Sequence, residues 1–260
     1  KTAYEIPKRD WSSDVCSSDL VPASPRVSDR SFVGALKSTH PSFILEVKPS
    51  SPSRGKIIDR DRIPFILSLY KKFAQCISVL CDKASFGGGF DLLESIRAET
   101  DQPLLAKDFI VVPQQIDAVV RAGADAILLI AALLDDATLD QLGRYARSLN
   151  LDLLLEVHTD EEADRVMRWY RTLSSLDQSH CVIGINNRDL KHQVIDLEHT
   201  RSLAPRIRRE IPEILLISES GIRSGSMIIS LQDSVHGFLI GTSILSSEDP
   251  TPLLQSFIAR

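Results

Sequence analysis

Five short apolar segments of the chain each end in ionisable or amide side chains. These side chains are Glu46 with Lys48, Lys107, Glu156, Asn186 with Arg188, and Glu219. They recur at intervals of roughly 30 to 60 residues, which is the spacing of βα units in a parallel barrel. A closed barrel brings the carboxyl ends of its strands to one mouth. Charged residues at successive strand ends of a barrel indicate catalysis, so the pattern predicts an enzyme.

Short runs rich in valine, isoleucine and leucine alternate with amphipathic segments, which is typical of parallel strands covered by helices. We predict strands at 43–47, 76–80, 104–106, 126–130, 152–156, 182–185, 214–217 and 237–240. We predict helices at 62–73, 92–98, 113–122, 133–149, 160–172, 197–208, 224–232 and 252–258. Eight alternations indicate the α/β class and a single (β/α)8 TIM barrel.

The composition fits one domain, because 260 residues with 43% hydrophobic content can bury a large core. The formal net charge of -5 is not gathered into a like-charged block, which argues against nucleic acid as a partner. The longest apolar run, 126–134, is about half of the length that crosses a membrane, and no signal peptide is recognised. We expect a soluble, cytoplasmic protein without a membrane partner.

The four cysteines lack zinc-site spacing, so we expect reduced, buried thiols and no metal.

Three parts of the chain differ in character. Residues 1–20 contain a near-repeat without helical or strand periodicity, and we expect them to be poorly ordered. Their stretch WSSDVCSSDL also resembles the conceptual translation of a sequencing adapter, so a native and a non-native origin both stay open. Residues 21–42 form a lead-in segment with Phe32, Val33 and Leu36 as apolar anchors. Residues 43–260 form the predicted barrel.

The first strand alternates, so Glu46 and Lys48 share one face while Leu45 and Val47 share the other. In a barrel the two charged side chains would point inward near the mouth. An exposed edge strand carrying a surface ion pair is the other interpretation of this segment.

Small residues follow the predicted seventh and eighth strands, where barrel enzymes often bind phosphate. Ser220-Gly221 and Gly241-Thr242 would let backbone amides approach an anion, and Ser51 adds a hydroxyl group, although such pairs also form ordinary turns. His158 is interpreted as a local hydrogen-bonding histidine.

Six motifs follow one another along about 200 residues, each at a predicted strand end. They are Glu46-Val47-Lys48 with Ser51-Pro52-Ser53 and Gly55, Lys107-Asp108-Phe109, Glu156-Val157-His158, Ile183-Gly184-Ile185-Asn186-Asn187-Arg188-Asp189-Leu190, Ser218-Glu219-Ser220-Gly221-Ile222, and Gly241-Thr242-Ser243. In this order they resemble the strand-end motifs of the indole-3-glycerol phosphate synthase family. The resemblance implies a barrel enzyme of tryptophan biosynthesis.

In that family the substrate, 1-(2-carboxyphenylamino)-1-deoxyribulose 5-phosphate, closes an indole ring with loss of CO2 and water, and no cofactor is required. The resemblance implies that Lys107 and Lys48 act as acids and that Glu156 and Glu46 move protons. It assigns substrate orientation to Asn186, Glu219 and Arg188, and a substrate contact to Phe109. It assigns the small phosphorylated substrate's phosphate group to Ser51, Ser220, Gly221, Gly241 and Thr242.

Two alternatives stay open at this point. Another phosphate-binding barrel, such as a phosphoribosylanthranilate isomerase, would need a Cys/Asp pair at its strand ends. A non-catalytic barrel could act as a binding partner in a synthase complex.

The chain differs from the family at Pro49, where members often carry a second basic residue. Some relatives are fused to other tryptophan-pathway enzymes, so fusion or association with such enzymes is an expected partnership.

Overall fold

The computed structural model describes residues 30–189, 192 and 194–258, and its main body is a closed barrel of eight parallel strands. The strands are β1 Ser42–Val47, β2 Cys76–Leu80, β3 Leu104–Lys107, β4 Ala126–Ile130, β5 Asp152–Val157, β6 Cys181–Asn186, β7 Leu215–Glu219 and β8 Gly237–Ile240. Each strand pairs with the next one along the chain, and β8 pairs with β1 to close the barrel. The predicted fold and all eight predicted strands are confirmed.

Helices connect the strands and cover the outside of the barrel. The longer ones are Ile63–Phe73, Phe90–Glu99, Pro113–Arg121, Asp136–Ser148, Asp160–Tyr170, Glu198–Glu210, Gly225–Leu231 and Thr251–Ile258. All eight match a predicted helix, but the helix predicted at 133–149 begins only at Asp136. The reason is local, because the Asp135 side chain accepts a hydrogen bond from the Thr138 amide and caps the helix there.

Four shorter helices were not predicted as helices. They are Phe32–Lys37, Lys83–Phe86, Ser175–Gln178 and Thr242–Leu245. One or two turns contain too few apolar positions to show a helical period, so sequence periodicity does not reveal them. The expectation of poor order for residues 1–20 lies outside the described residues, as does the start of the lead-in segment.

Alternate residues of each strand enter two separate hydrophobic cores. Leu45 and Val47 join the outer core between sheet and helices, whereas Ile44 joins the inner core that fills the barrel. Cys76 lies in the inner core and Cys81 in the outer one, and both are free and buried. Strand β1 is hydrogen-bonded on both sides, so the edge-strand interpretation is wrong.

The helix Phe32–Lys37 closes the amino-terminal end of the barrel. Its Phe32, Val33 and Leu36 side chains are buried in the inner core, which confirms these anchors. The Asp152 carboxylate, at the start of β5, accepts a hydrogen bond of 2.9 Å from the Val33 amide and lies 2.6 Å from His180 Nδ1. This helix therefore covers the end of the barrel opposite the strand ends that carry Lys107 and Glu219.

Asp152→Asn should lower the free energy of unfolding by about 3 kcal/mol, because it removes a buried charge that holds a helix and a histidine together. Asp59→Asn is the matched control, since Asp59 forms an ion pair with Lys56 in which both side chains are more than half exposed. Urea unfolding of both variants measures the difference. Equal midpoints for Asp152→Asn and the control would contradict the proposed anchoring.

Candidate active site

The carboxyl ends of the strands surround one cavity of about 440 Å³. Of the thirteen residues to which the sequence analysis gave a role in the site, twelve line it: Glu46, Lys48, Ser51, Lys107, Phe109, Glu156, Asn186, Arg188, Ser220, Gly221, Gly241 and Thr242. Glu219 is almost fully buried and contacts Lys107 without lining the cavity. The structure therefore brings all of these residues together at one mouth.

Lys107 joins carboxylates from different strands into one buried network. Its Nζ lies 3.0 Å from Glu219 Oε2 on β7 and 3.4 Å from Glu46 Oε2 on β1. The other oxygen of Glu46 lies 2.6 Å from Lys48 Nζ. A chain of alternating charges therefore runs from Lys48 to Glu219 across the barrel.

The surrounding charges control the protonation of Lys107 and Glu46. Burial alone would lower the pKa of Lys107, but Glu219, Glu46 and Glu156 outweigh burial and raise this pKa well above its ordinary value. Burial would likewise raise the pKa of Glu46, but Lys48 and Lys107 lower it to about 2. Lys107 is therefore a fully charged ammonium in the free protein, and its pKa is not tuned toward neutrality.

Glu156 and Glu219 differ in protonation although both are buried. Burial and the nearby Glu156 charge raise the pKa of Glu219 to about 7, against the opposing effect of Lys107. For Glu156 the effect of burial is outweighed by His158, Lys107 and Asn186, and its pKa lies below the ordinary value. Glu219 is thus the carboxyl group that can carry a proton near neutral pH.

Two glycines make room for these carboxylates. A Cβ atom on Gly184 of β6 would lie 2.0 Å from Glu219 Oε1, and one on Gly241 would lie 2.5 Å from Glu46 Oε1. Any larger residue would displace a carboxyl group, so the absence of a side chain at these two positions is part of the site. Gly184 was quoted in a motif but given no role from the sequence.

Asn187 is a positioning residue that sequence reasoning missed. Its Nδ2 donates to Ser218 Oγ at 2.9 Å, to Glu219 O at 2.9 Å and to Ser220 O at 3.1 Å. These bonds tie the end of β6 to the end of β7, where Ser220 adopts a left-handed φ of 67°. The repeated asparagine in Asn186-Asn187 was the available signal, with one side chain facing the cavity and the other holding the loop.

Aromatic and basic groups line the rest of the cavity. The rings of Phe86 and Phe109 lie 6.2 Å apart and form an apolar wall. Arg54 and Arg223 line the cavity together with the small residues around Gly221 and Gly241. Phe86 and Arg223 carried no sequence signal, because they lie on a one-turn helix and in a loop. Among the described residues, no group of three or more histidine, cysteine, aspartate or glutamate side chains could hold a metal ion.

A family model described as indole-3-glycerol phosphate synthase matches residues 11–257. The chain belongs to the indole-3-glycerol phosphate synthase family. Relatives named tryptophan biosynthesis protein TrpCF support this membership of the synthase family. That of Vibrio parahaemolyticus is 40% identical over 232 residues, which cover 89% of this chain and 45% of the relative. That of Yersinia pestis is 43% identical over 223 residues, covering 85% and 44% respectively.

This synthase-family chain spans about half the length of the curated relatives it matches. A crystal structure of KGPDC from Streptococcus mutans has a TM-score of 0.62 and 14% sequence identity, covering 84% of this chain and 96% of that chain. At that identity the likeness supports the barrel fold alone. In the described residues, none of the helices combines the length and the apolar character that a membrane crossing requires.

Glu219→Gln should stabilise the synthase-family chain at pH 8 by about 2 kcal/mol. The ordinary pKa of 4.5 is raised to about 7 in the folded chain, so the folded state holds a proton that the unfolded state has already lost. The wild type therefore loses stability as the pH rises from 4.5 through 7, and an uncharged glutamine avoids this loss. Urea unfolding at pH 5 and pH 8 measures both variants.

Glu156→Gln is the matched control for Glu219→Gln. It should have the opposite effect at pH 8, because the lowered pKa of Glu156 means that its ionised form is stabilised by folding. The assigned protonation would be contradicted if Glu219→Gln destabilised the folded chain at pH 8 as much as Glu156→Gln does.

Proposed function

We propose that this chain catalyses the indole-3-glycerol phosphate synthase reaction. It would close the indole ring of 1-(2-carboxyphenylamino)-1-deoxyribulose 5-phosphate with loss of CO2 and water, as a lyase of tryptophan biosynthesis. The observation that carries the proposal is the Lys107 ammonium, held among three carboxylates at the mouth of a barrel of the synthase family. Ring closure converts a ketone oxygen into a hydroxyl group, and this step needs a proton donor at that oxygen.

Lys107 is the proposed donor to the ketone oxygen. As the aromatic carbon that bears the carboxyl group bonds to the ketone carbon, the oxygen becomes strongly basic, so an ammonium with a raised pKa can still protonate it. Loss of CO2 from that same aromatic carbon then restores the aromaticity of the ring. Departure of the new hydroxyl group as water needs a second proton, for which Lys48 is the proposed source, because it lines the same cavity.

The carboxylates have different proposed roles. Glu156 and Glu46 are ionised, so they can accept the protons that the substrate loses. Glu219 contacts Lys107 at 3.0 Å and holds a proton near neutral pH, so it can return a proton to the lysine. The orienting role that the family resemblance implies for Glu219 stays a prediction beside this one. Asn186 and Arg188 remain the proposed groups that orient the substrate.

The cavity offers a separate environment for each end of the substrate. The aromatic ring would pack against Phe86 and Phe109. In the loops after β1, β7 and β8, the proposed phosphate contacts are Ser51, Ser220, Gly221, Gly241 and Thr242. Ser220 and Gly221 both have left-handed backbone conformations, which can turn successive amides toward an anion.

The isomerase alternative is not favoured. It needs a cysteine thiolate at a strand end, whereas burial raises the pKa of Cys76, Cys81 and Cys181. None of these three cysteines lines the cavity. The non-catalytic alternative is weakened by the retained Lys107 and Glu156.

The relatives named TrpCF are about twice as long as this chain, which supports fusion or association with a second tryptophan-pathway enzyme as the proposed partnership. Location in the cytoplasm, together with the absence of a nucleic-acid partner, stays a prediction.

Lys107→Ala should leave the fold intact and lower kcat by about 10²- to 10⁴-fold, because it removes a positioned general acid. Fluorescence of the indole product, formed from the carboxyphenylamino substrate, measures the rate. Lys56→Ala is the control, since Lys56 is an exposed lysine outside the cavity. A flat trace from the folded wild-type protein would refute the proposed function, and equal rates for the two variants would remove Lys107 from the mechanism.

Treatment with EDTA should change the synthase rate by less than about twofold, since the proposed steps use only lysine and carboxylate groups. The assay is run before and after dialysis against the chelator, with magnesium or zinc added back to separate samples. Loss of activity that a divalent ion restores would contradict a metal-free reaction.

A further inference from the structure

His158 stands directly behind Glu156, on the side away from the cavity. Its Nε2 lies 3.2 Å from Glu156 Oε1, and its side chain is 6% exposed. It does not line the cavity, so it has no direct route to a bound substrate. Any influence of His158 on the reaction therefore has to act through Glu156.

A second carboxylate lies on the other side of the His158 ring, and both contacts are ion pairs, since neither ring nitrogen has a hydrogen-bond partner among the described residues. Nδ1 lies 3.4 Å from Glu162 Oε2, and the same Glu162 oxygen accepts a hydrogen bond of 2.7 Å from the His158 backbone amide. Glu162 is itself fixed in the first turn of the helix Asp160–Tyr170, where its amide donates to Thr159 Oγ1 at 3.2 Å. The imidazole thus lies between two carboxylates, one of which is anchored by a helix cap.

This arrangement keeps the imidazole charged. Burial would lower the pKa of His158, but Glu156 and Glu162 raise it to about 10. From the helix Glu198–Glu210, His199 also faces this group, and burial and His158 lower the pKa of His199. At neutral pH, one imidazolium therefore lies behind Glu156 while its histidine neighbour is uncharged.

The charge of His158 separates two otherwise similar carboxyl groups. Glu156 and Glu219 are both buried and both near Lys107, and the charge of Glu156 raises the pKa of Glu219. His158 contacts Glu156, whereas Glu219 forms its ion pair with Lys107. The imidazolium therefore favours the arrangement in which Glu156 is ionised and the shared proton lies on Glu219.

We propose that His158 is a positioning residue that, clamped by Glu162, makes Glu156 the proton acceptor and leaves the proton on Glu219. This inference rests on the proposed function. It differs from a purely structural role in one measurable way. Loss of a structural contact lowers activity at every pH, whereas loss of this charge changes the pH at which the carboxyl pair takes up its proton.

His158→Asn should shift the acid limb of the kcat/KM profile to higher pH by about 1 to 3 units, the usual effect of one close opposite charge on a carboxyl group. KM near pH 8 should change by less than about twofold, because the ring does not line the cavity. Glu162→Gln retains the ring but loosens its clamp, so it should shift the limb in the same direction by a smaller amount. If His158→Asn does not fold, the shift of the acid limb in Glu162→Gln tests the proposal by itself.

Glu161→Gln is the matched control, because Glu161 is an exposed acid in the same helical turn. It should leave the profile unchanged. The proposal would be overturned if the acid limb of folded His158→Asn lay within about 0.3 pH units of the wild-type limb. It would also be overturned if Glu162→Gln and Glu161→Gln shifted the limb equally.

A readout without turnover separates this proposal from the proposed function. NMR titration of the wild type should show that the His158 ring stays protonated above pH 8. Its signal is the one that is absent in His158→Asn, and in Glu162→Gln it should titrate at lower pH. An inactive wild type whose His158 ring titrates in this way would refute the synthase function but still support the clamp. A His158 ring that titrates near its ordinary pKa would refute the clamp itself.

Discussion

One buried ammonium organises the mouth of this barrel. Glu46, Glu156 and Glu219 come from three different strands, and without Lys107 their charges would repel one another in a site with little access to water. The lysine compensates for part of that repulsion, and Lys48 compensates for more at Glu46. Burial, together with the charge of Glu156, still raises the pKa of Glu219, so a buried carboxyl group beside a second carboxylate is what provides a proton near neutral pH.

The two ends of the barrel use charge for different purposes. At the amino-terminal end, Asp125 accepts a hydrogen bond of 2.9 Å from the Leu104 amide and one of 2.8 Å from Arg97, and Asp152 holds the closing helix. These carboxylates have fixed partners on the backbone and serve stability. At the mouth, the carboxylates face one another and a cavity, so their protonation can change. A parallel barrel separates stability from chemistry in this way because every strand starts at one end and finishes at the other.

The carboxyl groups at the mouth depend on neighbours that do not line the cavity. Gly184 leaves the space in which Glu219 lies, Asn187 ties the ends of β6 and β7 together, and His158 with Glu162 stands behind Glu156. Each of these neighbours positions a carboxyl group of the mouth without entering the cavity. The cavity itself therefore stays open to a ligand. The chemistry of the mouth is therefore determined as much by the layer beneath it as by the residues that line it.

The sequence by itself determined the fold and many of the residues that line the cavity. Eight alternating segments located the strands, and the position of a charged residue at a strand end is a local property that the barrel carries to a common mouth. Helices of one or two turns, such as Lys83–Phe86, were not predicted because they contain too few residues to show a helical period. The contribution of Phe86 to the apolar wall was therefore not predictable.

Protonation was decided only by the tertiary structure. Glu46, Glu156 and Glu219 are the same residue type in similar apolar settings along the chain, and the sequence distinguishes them only by analogy with a family. In the folded barrel, Glu46 contacts two lysines, Glu156 contacts a histidine, and Glu219 contacts one lysine and faces another carboxylate. Electrostatic energies depend on distances between groups that are far apart in sequence, so the pKa of each carboxyl group exists only once the barrel has closed.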